Sequence, residues 1–177
     1  MKDTEKPTAE IILAGGCFWG LEKVFSGIKG VTHTECGYAN GYDMIIPDYM
    51  TVCSGKFGYC EVVKIDYDPE IICLEKLLDV FFMVIDPTLL NRQGGDRGIQ
   101  YRTGIYWVDE DSGRAVSSFV EKERKKHEEF HTEIGPLINY FMAEEYHQKY
   151  LDKNPNGYCH IPRNEIEQIH RSFQEKE

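Results

Sequence analysis

The sequence predicts an α+β fold, on three observations. Runs rich in β-branched and aromatic residues alternate with stretches of helical apolar period. Clusters of Gly, Pro and Asn separate them. The runs follow the order β-α-β-β-α-β. "AEIILA" (Ala9 to Ala14) is a short strand stopped by Gly15-Gly16. "FWGLEKVFSGI" places Phe18, Leu21, Val24, Phe25 and Ile28 on one helical face and ends at Gly27 and Gly30. "VTHTECGYA" (Val31 to Ala39) is a second strand. "NGYDMIIPDYMTVCSG" is a loop-rich insertion with one helical turn after Pro47. "GYCEVVKIDYDP" alternates, with Val62, Lys64 and Asp66 on one side and Glu61, Val63, Ile65 and Tyr67 on the other. "CLEKLLDVFFMVI" is an amphipathic helix ended before Pro87, "PTLLNRQGGDRGIQ" a glycine-rich loop and "YRTGIYWV" a strand.

This order is that of a ferredoxin-like split β-α-β core, closing near Val108. Beyond it, "SGRAVSSFVEKERKKHEEF" reads as a charged helix, "HTEIGP" as a short extra strand, "YFMAEEYHQKYLDK" as a further helix and "NPNGYC" as a turn. The remainder, 160–177, reads as a coil-rich polar tail in which Ile161, Ile166, Ile169 and Phe173 can form one apolar stripe. A length of 177 residues suits one domain, 1–177, with its core at about 9–159.

Composition narrows the function. The net charge is −10, from 20 basic and 30 acidic residues with no basic cluster, which argues against phosphate-backbone binding. The N-terminus lacks the apolar core of a secretory signal, and "VFFMVI" is too short to cross a bilayer. A cytoplasmic monomer is the expectation. The six cysteines are irregularly spaced without CxxC, so free thiols are expected.

One of those thiols stands in a distinctive setting. In "AGGCFWGLEKVF", Cys17 lies where a strand gives way to a helix. Free N–H groups and the helix dipole there favour an anion, which predicts a lowered thiol pKa. Phe18 and Trp19 follow it, suited to wall an apolar pocket beside the sulfur. The competing reading makes Cys17 a buried filler and the two aromatics core residues.

"GGCFWG" is similar to the signature of the peptide methionine sulfoxide reductase A family. "GYANGYDMIIPDYMTVCSGKFGYCEVVKIDYDP", "DPTLLNRQGGDRGIQYRTGIY" and "AEEYHQKYLDKNPNGYC" resemble its later blocks, in order, from about Ile11 to Cys159. The resemblance implies reduction of the S epimer of methionine sulfoxide, protein-bound or free, in the repair of oxidative damage. It implies Cys17 as the nucleophile that becomes a sulfenic acid, and Phe18 and Trp19 as the seat of the substrate methyl group. Tyr49, Glu61, Asp96 and Tyr101 are implied to bind or activate the sulfoxide oxygen and order the site. A carboxyl among apolar neighbours has a raised pKa, which makes Glu61 the acid, and the two phenols can donate to the developing hydroxyl.

The resemblance also implies recycling cysteines near the C-terminus. Cys159 alone follows Cys73, so a Cys17–Cys159 disulfide reduced by thioredoxin, or by dithiothreitol in vitro, is expected. Cys53 is expected to be structural, and Cys36, Cys60 and Cys73 to be packing residues. No metal or bound organic cofactor is implied. The chain departs from the family where Asn40 replaces a glycine in "GYANG", Tyr59 a histidine in "GYCE" and Ile85 a histidine in "IDPT". Asn tolerates the left-handed conformation, so the first turn can survive.

Two other constellations compete. "HEEFH" (His127 to His131) matches the H-E-x-x-H pattern of zinc proteases, with Glu144, Glu145 or His147 as conceivable third ligand. Its highly charged surroundings favour a solvated helix face instead. "EEYH" resembles half of a di-iron motif but occurs once. A binding module that captures oxidised methionine without turning it over is a third class. It would lack the nucleophile or the acid, and both are present.

Overall fold

The structure, a computed structural model, describes residues 6–174. The first five residues and the last three of the expected tail lie outside it. Strand β1 (Ala9–Gly15) leads into helix α1 (Phe18–Ser26), and Gly27 ends that helix. Strand β2 (Val31–Ala39) has its expected bounds, and Asn40 after it is left-handed at φ 53°. The helical turn after Pro47 is α2 (Tyr49–Cys53), whose N-cap Asp48 accepts a hydrogen bond from the Thr51 N–H while the Thr51 hydroxyl takes the Asp48 N–H. There follow β3 (Cys60–Tyr67), α3 (Leu74–Val84), a small hairpin of β4 (Arg92–Gln93) and β5 (Asp96–Arg97), a 3₁₀ turn at Ile99–Tyr101, and β6 (Thr103–Trp107).

The C-terminal half is α4 (Glu110–Arg124), β7 (Glu133–Pro136), β8 (Tyr140–Met142), a 3₁₀ turn at Glu145–His147, α5 (Tyr150–Lys153) and α6 (Arg163–Gln174). The six-stranded sheet runs β7-β6-β1-β3-β2-β8, with β6 and β7 parallel and the other neighbours antiparallel. Leu13 pairs with Val63 on one side and Ile105 on the other, which puts β1 at the centre.

The long helices cover one face. Leu21, Val24 and Phe25 of α1, Leu77, Leu78 and Phe81 of α3, Val116 and Val120 of α4, and Ile166 and Ile169 of α6 are buried there with Ile11, Leu13, Val63 and Ile65. Burying one such side chain contributes about 1.5–3 kcal/mol. The other face holds a smaller cluster of Ile12, Ala14, Ala39, Cys60, Val62 and Tyr106. The two-residue alternation of β3 sends Glu61 to the helix-covered face, with Val63 and Ile65.

Four expectations are corrected. The charged helix spans Glu110–Arg124, not Ser112 to Phe130. Asp109 caps it, accepting from the Ser112 N–H at 2.8 Å, and it ends six residues before Phe130. The expected helix over "YFMAEEYHQKYLDK" is instead β8, a 3₁₀ turn and α5. Tyr140–Met142 closes the open edge of β2, and Lys149, at φ 53°, breaks any continuous helix. Its N–H goes to the buried Glu22 carboxylate at 2.6 Å, so a tertiary acceptor outcompetes the helical one. The coil-rich tail contains helix α6, whose stripe of Ile166 and Ile169 is buried against the core. Cys73 is exposed at the N-cap of α3 rather than packed, whereas Cys36 and Cys60 are fully buried. Among the described residues no helix is long and apolar enough to cross a membrane.

Candidate active site

Cys17 is the N-cap residue of α1, carried by a turn that only glycine fits well. Gly16 has φ +81°, and a Cβ there would lie 2.7 Å from the Gln93 Cβ. The thiol is almost enclosed, at 7% exposure. Burial pushes it well above the ordinary cysteine value and the nearby Glu61 carboxyl adds to the rise, while a backbone hydrogen bond to Trp19 pulls the other way. The lowering expected from the helix terminus is therefore overturned. Loss of solvation outweighs the dipole, and the resting group is a thiol.

Glu61 stands at the start of β3, 2% exposed, and accepts a hydrogen bond from the Phe18 N–H at 3.2 Å. The carboxyl thus meets the residue directly after Cys17. Burial raises its pKa to about 8. The Phe18 bond opposes the rise, and Asp96 adds to it. Tyr49 opens α2, and its phenol is pushed up to about 12, first by the Cys53 thiol at its hydroxyl and then by burial, with Glu61 and Cys17 adding. Cys53 therefore touches a site residue, in keeping with a structural part. Tyr101 closes the 3₁₀ turn at Ile99–Tyr101. Burial raises it strongly, and the charges of Glu61, Tyr49 and Asp96 add. Asp96, on β5, accepts from the Tyr158 hydroxyl at 3.0 Å. Cys17, Glu61, Tyr49, Tyr101 and Asp96 thus converge where α1 begins.

Phe18 is fully buried, its ring 5.8 Å from Tyr38 and 4.9 Å from His147. Trp19 is half-buried, stacked on Tyr150 at 3.7 Å, with its indole N–H donating to His147 Nδ1 at 3.0 Å. His147 is 1% exposed, and burial lowers its pKa, so it is a neutral ring that accepts from Trp19. The sequence offers Glu144 and His147 only as conceivable metal ligands. The structure gives Glu144 three donors instead, the Tyr38 hydroxyl (2.8 Å), the Tyr49 N–H (3.1 Å) and the Tyr146 hydroxyl (3.1 Å). Burial alone would raise this carboxyl, but its own backbone N–H and these donors hold it below the ordinary value. Glu144 therefore ties α2, β2 and the 3₁₀ turn together behind Tyr49.

Cys159 lies half-buried beside the first turn of α1. Its thiol donates to the Ile161 carbonyl at 3.2 Å, and a Cβ on Gly20 would sit 2.9 Å from its Sγ. Cys159 is close enough to raise the cost of charging Cys17. Tyr59 and Ile85, which replace family histidines, are both buried. Tyr59 packs over Gly41 and donates to the Ile45 carbonyl at 3.3 Å, and Ile85 packs on Gly15.

The "HEEFH" segment has no helix to align its two rings, because α4 ends at Arg124. His127 sits on Glu123 at 3.1 Å and His131 on Glu129 at 3.3 Å. Neither the segment nor "EEYH" joins a cluster of three or more metal-ligating side chains among the described residues.

Comparison with known proteins finds relatives of one family. The family model described as peptide methionine sulfoxide reductase matches residues 9–177. The "Peptide methionine sulfoxide reductase MsrA" of Clostridium acetobutylicum is 55% identical over 155 residues, 87% of this chain and 95% of that protein. Among solved structures, Mxr1 of Saccharomyces cerevisiae in reduced form matches with TM-score 0.82 and 36% identity, over 89% of this chain and 93% of that one. Mxr1 has also been solved in complex with Trx2, where it matches at TM-score 0.57 and 24% identity over 84% of this chain and 91% of that one. Methionine sulfoxide reductase A of Corynebacterium diphtheriae matches with TM-score 0.81 and 34% identity, over 90% and 85% of the two chains.

Proposed function

The chain belongs to the peptide methionine sulfoxide reductase family and is an oxidoreductase, and on that premise we propose how it works. It reduces the S epimer of methionine sulfoxide, in proteins or free, within the single domain. The strand order β6-β1-β3-β2 supports reading its core as ferredoxin-like.

The observation that carries the mechanism is the buried carboxyl of Glu61, held by the Phe18 N–H at 3.2 Å next to the Cys17 turn. A sulfoxide sulfur is a poor electrophile until its oxygen takes a proton. Glu61, with a pKa raised to about 8, still holds one at neutral pH. Cys17 and Glu61 are then both neutral, which avoids the cost of burying a charge. As the Cys17 sulfur attacks, Glu61 gives its proton to the substrate oxygen and the thiol proton returns to Glu61. The oxygen moves from the substrate sulfur, which is reduced to the thioether, onto Cys17, which is oxidised to the sulfenic acid. Tyr49 and Tyr101, both kept protonated, donate to that oxygen as it becomes a hydroxyl. Phe18 and Trp19 receive the methyl group, with Trp19 fixed by Tyr150 and His147. Asp96 and Glu144 order the surrounding hydroxyls.

Cys159 then attacks the sulfenic sulfur, forming the Cys17–Cys159 disulfide and releasing water. Thioredoxin reduces that disulfide, by analogy with Mxr1, whose complex with Trx2 is known. Separated S and R epimers of a methionine sulfoxide peptide test this reading, with thioredoxin recycling and Cys17→Ser alongside. Turnover of the S epimer alone, lost in Cys17→Ser, is expected. Turnover by Cys17→Ser would end it.

A further inference from the structure

We propose that His160 is the proton-transfer residue of the resolving step, taking the proton from the Cys159 thiol and delivering one to the hydroxyl that leaves Cys17. The inference rests on the reading above that Cys159 resolves the Cys17 sulfenic acid.

Both ring nitrogens of His160 are shielded from solvent, and neither has a hydrogen-bond partner. Two orphaned polar atoms on one ring are costly in a folded chain unless they serve a group that comes and goes. Their placement identifies that group. Nε2 lies 3.2 Å from where a Cβ would stand on Gly16, the residue before Cys17. Nδ1 lies 3.7 Å from the corresponding point on Gly20, where the Cys159 Sγ lies at 2.9 Å. The ring therefore lies between the turn that carries Cys17 and the stretch of α1 on which the Cys159 sulfur packs, with Nε2 on the first side and Nδ1 on the second.

The ring is fixed there. Its Cβ sits over Gly94 of the β4–β5 turn, and the Gly15 carbonyl lies close enough to the ring to favour its charged form. Burial lowers its pKa, with Asp96 opposing, so it is a neutral imidazole at working pH. A neutral imidazole has one N–H and one bare nitrogen, which the exchange requires. Asp96 on β5 is the charged group that acts on the ring; Cys159 is its neighbour in the chain, and Arg163 acts on that thiol.

The Cys159 S–H bond breaks and its proton goes to Nδ1. The thiolate forms the S–S bond to Cys17 as the S–O bond breaks. The Nε2 proton goes to the leaving hydroxyl, which departs as water. Cys159 is oxidised, the sulfenic sulfur of Cys17 is reduced, and the ring ends neutral in its other tautomer. The Cys159 thiol needs such help, because burial raises its pKa and little thiolate exists unaided.

The test mixes the full chain with one equivalent of methionine S-sulfoxide and no external thiol. It follows sulfenic acid by trapping with a dimedone reagent and disulfide by mass. His160→Ala is expected to keep the amplitude of the methionine burst. Its sulfenic acid should persist about 10²–10⁴-fold longer. Added imidazole should restore disulfide formation, and without it the rate should rise with pH as hydroxide takes over. Unchanged disulfide formation in His160→Ala overturns the proposal. Slowing that imidazole does not relieve and that leaves the pH profile unchanged also overturns it, by making His160 a packing residue. Cys159→Ser run beside it separates the two readings. If that variant still resolves its sulfenic acid through another thiol, the assignment of Cys159 fails first.

Discussion

Replacing Glu61 by Gln is expected to stabilise the protein at alkaline pH while crippling it as a reductase. The carboxyl is 2% exposed, and its pKa is raised from an ordinary 4.5 to about 8. Between those values the unfolded chain has released a proton that the folded chain still holds. Stability therefore falls as pH rises through that window, by about 1.4 kcal/mol per pH unit. The stability is complete below the unfolded value and the loss is complete above the folded one. Over the whole window the deficit approaches ~5 kcal/mol, and water entering the relaxed site reduces it to roughly 2–4 kcal/mol. Gln cannot ionise, and its amide oxygen can still accept from the Phe18 N–H. Urea unfolding of the two chains at about pH 5 and about pH 8.5 measures the difference directly, since all other titrations cancel between them. Near pH 5 the midpoints should lie close together. Near pH 8.5 the variant should be the more stable by that margin. A gap that does not change with pH, or a native chain that gains on the variant as pH rises, would refute the assignment of a protonated buried acid.

Gly20→Ala should leave the methionine burst in place and slow disulfide formation about tenfold. Ala is favoured over Gly in a helix by up to about 1 kcal/mol, yet the new methyl would meet the Cys159 Sγ at 2.9 Å. Sulfenic acid trapping distinguishes this from a general loss of fold, which would reduce the burst itself. Trp19→Phe removes the donor to His147 Nδ1 and part of the stack on Tyr150. A loss of about 1–2 kcal/mol, roughly 5–30-fold in kcat/KM, is expected, mostly in KM. Steady-state kinetics on a short sulfoxide peptide measure it.

What was legible in the sequence had local causes. Val31–Ala39 could be bounded because β-branched residues run between Gly30 and the Asn40 turn, and Asn40 does take the left-handed conformation proposed for it. Glu61 could be assigned to a strand among apolar neighbours from alternation alone, and its raised pKa followed from that setting. What was illegible depends on contacts far along the chain. Tyr140–Met142 is extended because β2 offers an unpaired edge 103 residues earlier at the Tyr38–Phe141 pair, and no local pattern announces that. The coil assigned to 160–177 missed α6, although its apolar stripe was visible. The helix is held by packing on α1, where His170 Nε2 meets the Val24 carbonyl at 2.9 Å. Glu144 and His147 showed only as a helical-looking pair, since their donors Tyr49 and Trp19 are 95 and 128 residues away. The raised pKa of the Cys17 thiol is illegible in the sequence for the same reason. A helix terminus is read from neighbours in sequence, whereas the burial that outweighs it is assembled from β3, the β4–β5 hairpin and the Cys159 segment.

The most direct test of Glu61 as the acid is the rate of the first turnover against pH, read as methionine released per chain before any recycling. The account predicts a rate that holds below about pH 8 and falls tenfold per unit above it as Glu61 ionises. Glu61→Gln should be slow at every pH, by about 10²–10⁴-fold, and should lack that fall. A native rate that climbs through pH 8, as a reaction limited only by thiolate formation would, contradicts it.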